Sequence, residues 1–171
     1  MNIARISVAI AVSLLAASFA FGQAKFSSVY MSLGTGCKVL RGKNGTDDAK
    51  LCAGPGGYQV RVFSTATTTE IVAERKGGDD TYHVATVSLA FNESKSKLEW
   101  RLADGRPFAA ILRVPTYADN NGEGGVGKVT GEQLVVVGLR GHEDLSTSVD
   151  AKSPDANTKA REAADKGYSK K

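Results

Sequence analysis

Two histidines, two cysteines, one glycine-rich loop and a set of charged strand residues are the groups in this chain that could do chemistry. His83 falls in phase with Ala85, Val87, Leu89 and Phe91, which predicts a half-buried strand residue rather than a general base. His142, between Gly141 and Glu143, reads as a solvated turn residue. There is no His-x-x-x-His pair for zinc and no Gly-x-Ser-x-Gly elbow for an activated serine. Gly122-Glu-Gly-Gly-Val-Gly127-Lys128 approaches a phosphate-binding loop. That loop needs Ser or Thr directly after the lysine to hold magnesium, and a helix whose N-terminus faces the phosphates. Here Val129 follows, Thr130 comes one place late, and the next stretch reads as strand, so a plain connection is the better reading. Asp119, Asn120, Asn121 and Glu123 offer oxygen ligands, but not at calcium-loop spacing. No catalytic set, cofactor or metal site is expected.

Cys37 and Cys52 are the only cysteines, with neither the Cys-x-x-Cys spacing of a redox pair nor a nearby histidine. A structural disulfide is predicted. It would close a polar loop containing Gly42, Asn44-Gly45 and Asp47-Asp48, worth about 3 kcal/mol in a chain-entropy account. Among the charged strand residues, Glu99, Arg101 and Arg113 fall on one face of a hairpin and are the candidate binding residues. Two arginines there suit an acidic partner; the plainer alternative is an internal cross-strand ion pair with Glu99. Glu99, Asp104 and Asp150 are the carboxylates a paired-carboxylate hydrolase would draw on, if folding brings them together.

The elements that position these residues follow from the pattern of the chain. Of 171 residues, 42% are hydrophobic and 23% charged, enough for one globular domain with accessory segments and too few for two full-sized domains. Met1 to Arg5 supplies a positive start, Ile6 to Phe21 is apolar apart from three serines, and small residues follow at Ala20, Gly22 and Ala24. Residues 1–24 therefore read as a secretory signal peptide, shorter than a membrane span, and the mature chain has no second apolar stretch long enough to cross. Export to an oxidising compartment, periplasmic or extracellular, agrees with the disulfide. The formal charge is +4. Residues 25–151 carry 15 basic and 15 acidic side chains, and residues 152–171 carry 6 against 3. A neutral body with a basic tail argues against a nucleic-acid partner, which would need a basic face on the domain itself.

Residues 25–57 are glycine- and turn-rich. From Tyr58 to Ala151 the chain alternates as antiparallel strands do: Tyr58, Val60 and Val62 against Gln59 and Arg61, then Ile71 and Ala73 against Glu70 and Glu74. Lys97 to Pro115 is the clearest hairpin. A two-residue Asp104-Gly105 turn pairs Trp100 with Ala109 and mixes the faces. A three-residue loop pairs Trp100 with Phe108, and gathers Leu98, Trp100, Leu102, Phe108, Ala110 and Leu112 on one buried side. Leu134 to Leu139, apolar in both phases, predicts a strand covered on both faces. In residues 152–171 the period changes: Ser153 as N-cap, Pro154 in the first turn, an Ala156, Ala160, Ala163, Ala164 stripe, and Gly167 as the stop predict one helix followed by a basic tail. The fold class is mainly β, an antiparallel sandwich or small barrel of about seven strands with one C-terminal α-helix.

Leu98-Glu-Trp-Arg101, Ala110-Ile-Leu-Arg113, Leu134-Val-Val-Val137 and Val149-Asp-Ala-Lys-Ser-Pro-Asp-Ala-Asn157 together resemble a group of small exported proteins of Gram-negative, mainly alphaproteobacterial, bacteria that have no assigned function. The resemblance runs from about Cys52 to Asp165 and implies export and a single domain; it supplies no activity. Relatives in that group often place a Cys-His pair where Leu145-Ser146 stands here, so a site built on that pair is not carried over. The expected function is a non-catalytic binding, inhibitor or envelope accessory domain, its partner an envelope protein or polysaccharide. A small carboxylate hydrolase acting on envelope carbohydrate is the alternative, and a purely structural domain the third.

Overall fold

A computed structural model describes residues 24–41, 49–119 and 126–170. The signal-peptide reading, the Asn44 to Asp48 loop, and Asn120 to Gly125 with their near-motif and candidate calcium ligands lie outside these residues. The described chain holds ten strands and one helix: β1 (Phe26–Ser32), β2 (Cys37–Leu40), β3 (Ala49–Ala53), β4 (Tyr58–Ser64), β5 (Thr68–Arg75), β6 (Thr81–Ser88), β7 (Lys97–Ala103), β8 (Arg106–Tyr117), β9 (Val129–Gly138), β10 (Ser146–Asp150) and α1 (Ala156–Tyr168). They form two open antiparallel sheets, ordered β1-β7-β8-β9-β10 and β2-β3-β4-β5-β6. The molecule is mainly β and sandwich-like, with ten strands where the pattern predicted about seven. The additional strands lie in the glycine-rich N-terminal stretch: β2 and β3 are short, and β1 is a half-exposed edge strand that lacks alternation.

The β1-to-β10 sheet is covered on both faces, so the architecture has three layers. Between the sheets lies a core containing Val60, Ile71, Leu98, Trp100, Leu112 and Leu139. On the outer face of the first sheet, Phe108, Ala109, Ile111, Leu134 and Val136 meet Ala156, Ala160 and Ala164 of α1. Alanine at this seam lets the helix lie close to the strands. β9 serves both cores, with Leu134 and Val136 under the helix and Val135 turned toward the other sheet, as its two-phase apolar pattern predicts.

The hairpin between β7 and β8 solves its phase problem differently from the predicted three-residue loop. Asp104 and Gly105 form a two-residue turn, both at positive φ (48° and 78°), which asparagine-like residues and glycine tolerate best. The register then slips by one between Arg101 and Leu102: Leu102 faces Pro107, while Arg101 faces Ala109 and Trp100 faces Ala110. The bulge takes up the odd residue at Pro107-Phe108, where a residue lacking an N–H costs the ladder least. Leu98, Trp100, Leu102, Ala110 and Leu112 stay together, but Phe108 goes to the helix side.

The helix also departs from its predicted ends. The Ser153 N–H donates to the Asp150 carbonyl in a turn, and the N-cap position falls to Asp155 at φ 57°. At the far end Gly167 lies within the helix. A Cβ there would come within 2.6 Å of a Leu145 methyl, so the glycine marks a close approach to the β9–β10 turn rather than the end of the helix. The helix continues to Tyr168, which packs at 4.9 Å from Phe108, 5.5 Å from Phe26 and 4.7 Å from His142, ring centre to ring centre. Tyr168 is thus part of the packed structure and not of a loose tail.

Candidate functional site

The outer face of the first sheet carries the charged residues that the hairpin pattern singles out. Glu99 is 6% exposed on β7, where its Oε1 accepts from Arg161 Nε of α1 at 2.7 Å and from Ser28 Oγ of β1 at 2.5 Å. Arg161 also donates to the Tyr30 hydroxyl at 2.6 Å. The hydrogen bond to Glu99 raises the Arg161 guanidinium above its ordinary range, with burial acting in the opposite direction. Two residues along β7, Arg101 donates through Nε and Nη2 to the two carboxylate oxygens of Asp165, at 2.7 and 2.6 Å. The ionic partners of Glu99 and Arg101 therefore come from the helix and not from each other.

Arg113 is separated from this pair. It lies toward the far end of β8, 3.7 Å from Glu132 of β9, in a region α1 does not cover. There the sheet, the start of the helix and the 3-10 turn at Glu93–Lys95 enclose a groove of about 580 Å³. Ile111, Leu134 and Pro115 supply apolar wall, with Phe91 beside them. Lys95, Lys97 and Arg113 bring positive charge, and Tyr30, 52% exposed, stands at the edge-strand side. Since Arg161 neutralises Glu99, Glu132 is the remaining carboxylate in the lining. Of the three candidate binding residues, Glu99 and Arg113 share this groove, and Arg101 is committed to the helix. Tyr30 and Lys95 were not legible as site residues, because they belong to an unrecognised edge strand and an irregular link; Lys97 opens the recognised hairpin, but its place at the groove is decided only by the fold.

The other chemistry-bearing residues are dispersed. Glu99 lies in the groove, Asp104 at the β7–β8 turn and Asp150 in a separate depression beside β10, so these three carboxylates do not converge. His83 is exposed rather than half-buried, a correction with a clear cause. The β5–β6 register pairs Ile71 with Ala85 but Val72 with His83, so Val84 is an extra residue and the strand changes face there. Val84 and Ala85 are both buried, and His83 turns outward to Glu70 and Thr86, each at 3.0 Å. His142 is half-buried, its ring stacked on Tyr168 and edge-on to Phe108, where the pattern predicted a solvated turn. Cys37 and Cys52 are directly opposed on β2 and β3 and form a disulfide.

Among the described residues no helix is long and apolar enough to cross a membrane. Comparison with family models, with curated proteins and with solved structures finds no match to this chain.

Proposed function

We propose that this protein is an exported binding domain that holds an extended acidic segment of an envelope protein or polysaccharide in the groove beside α1. The observation that carries the reading is the composition of that groove. An apolar floor of Ile111 and Leu134 is bordered by Lys95, Lys97 and Arg113, with an exposed tyrosine at one lip. Aromatic and arginine side chains around a desolvated floor are what binding hot spots are built from. Export is supported by the character of residues 1–24, by the disulfide and by the resemblance to small exported Gram-negative proteins.

The test uses protein expressed from the full sequence, titrated with an acidic polysaccharide and with an acidic peptide. Arg113→Glu and Tyr30→Ala should each weaken binding about tenfold or more, as loss of an interface anchor does. Equal binding by wild type and both variants would rule the groove out.

A further inference from the structure

At the opposite end of the sheet from the groove lies a second, larger cavity of about 910 Å³. Its walls come from both sheets. Arg75 ends β5, where it pairs with Tyr58 of β4, and Arg106 opens β8 across the Asp104-Gly105 turn. Arg140 follows β9 in a turn held to the hairpin by the Leu139 N–H, which donates to the Phe108 carbonyl at 2.8 Å. The sheets meet here at Gly56, where a Cβ would lie 2.8 Å from the Pro107 ring. Folding thus brings three arginines, far apart in the chain, to line one opening.

Their neutralisation is incomplete. Arg140 approaches Asp80 at 3.7 Å, whereas Arg75 and Arg106 have no carboxylate partner among the described residues. Asp104 also lines the cavity, and its Oδ1 accepts the Lys25 backbone N–H at 2.9 Å. In a body whose charges balance only as a whole, like charges gathered around a concave opening focus a positive potential there and favour an anion. The guanidinium fork matches phosphate oxygens two at a time, and a phosphate monoester carries about −1.5 to −2 charge at neutral pH, enough to meet two open arginines. The volume lies within the roughly 300–1,000 Å³ of small-molecule sites, leaving room for a sugar-sized carrier beside the phosphate. Apolar wall for that carrier is supplied by Tyr58, Pro107 and Tyr168.

We propose that the cavity walled by Arg75, Arg106 and Arg140 binds a phosphate monoester, with Arg75 and Arg106 as its principal cation ligands. It is a site separate from the groove. The test is calorimetric titration of protein expressed from the full sequence, at about 0.15 M salt so that diffuse charge attraction is screened. A hexose phosphate, inorganic phosphate and the unphosphorylated hexose are the three probes. Saturable binding of the hexose phosphate and none of the hexose is expected, with about a tenfold loss in Arg75→Gln and in Arg106→Gln. Inorganic phosphate binding as tightly as the ester would identify free phosphate as the source of the group; weaker binding would identify a carried phosphate. The site is refuted if hexose phosphate binds no better than hexose, or if the Arg75→Gln/Arg106→Gln double variant binds unchanged. An equal loss in Lys128→Gln, outside the cavity, would refute it as well by reducing the effect to overall charge.

Discussion

Arg101 and Asp165, sixty-four residues apart in the chain, meet in a two-pronged ion pair of 2.7 and 2.6 Å that fastens the last helix to the middle of the first sheet. Arg101 Nη1 also donates to Ser28 Oγ at 2.9 Å, and Ser28 donates in turn to Glu99, which receives Arg161 from the same helix. A small-residue seam buries little apolar area, so these charged contacts set the position of α1 as much as its alanines do. With the Arg101 side chain only 12% exposed, a hydrogen-bonded charge pair of this kind contributes about 1.5–3 kcal/mol. Asp165→Ala should lower unfolding free energy by roughly that amount and speed amide exchange over Ala156–Tyr168, while exchange in β4 and β5 stays near wild type. Unchanged exchange in the helix would show that the Arg101–Asp165 pair does not hold it.

Trp100 is fully buried between the sheets, 5.6 Å from Tyr58, with no hydrogen-bond partner for its indole nitrogen. Trp100→Ala should cost about 3–5 kcal/mol, measured by chemical denaturation. Gly54 lies against the indole, where a Cβ would come within 2.6 Å of the ring, so Gly54→Ala should itself destabilise by about 1–3 kcal/mol through overpacking. Trp100 is the only tryptophan, and native emission should be blue-shifted and resistant to iodide quenching. Red-shifted, readily quenched emission would contradict the packing.

The disulfide joins directly opposed residues of β2 and β3, and Cys52 itself belongs to the inter-sheet core. Cys37→Ser should lower stability by about 2–4 kcal/mol. Alkylation of the protein, purified without reductant, under denaturing conditions should add no mass; two labelled thiols would show that the bridge does not form.

Glu70 supplies a pH dependence. Burial raises its pKa, but hydrogen bonds from Thr86, His83 and Thr68 outweigh this and leave it below the ordinary value. A depressed carboxyl contributes stability that is complete above the unfolded-state pKa of about 4.3 and is lost as pH falls through the lower folded-state value. Glu70→Gln should therefore flatten the acid limb of the stability profile below about pH 4.3 relative to wild type. Parallel profiles for the two proteins would contradict the assignment.

β4 was legible because it buries one face cleanly, with Tyr58, Val60 and Val62 buried as their alternation predicts, and β9 because it is apolar in both phases and covered on both faces. The first three strands were not, since β1 sits at a sheet edge and exposes Val29 and Tyr30. Bulges caused the errors of facing. One residue added opposite Arg101 and Leu102 sent Phe108 to the helix, and Val84 turned His83 outward. The alanine stripe of α1 could be read locally, whereas the pairing of Arg101 with Asp165 is decided only when the helix docks. The charge tally concealed a site for a similar reason: 15 basic and 15 acidic residues balance over 25–151, yet folding collects Arg75, Arg106 and Arg140 at one end of the sandwich.

The groove beside α1 is tested most directly by site-specific cross-linking in the cell envelope. A photoreactive phenylalanine analogue replaces Tyr30 at the groove lip in one variant, and His83 on the exposed face of the other sheet in a second. The account predicts a discrete adduct from the Tyr30 position, its loss when Arg113→Glu is added, and no adduct from the His83 position. No adduct at Tyr30, or equal adducts at both positions that survive Arg113→Glu, would contradict it.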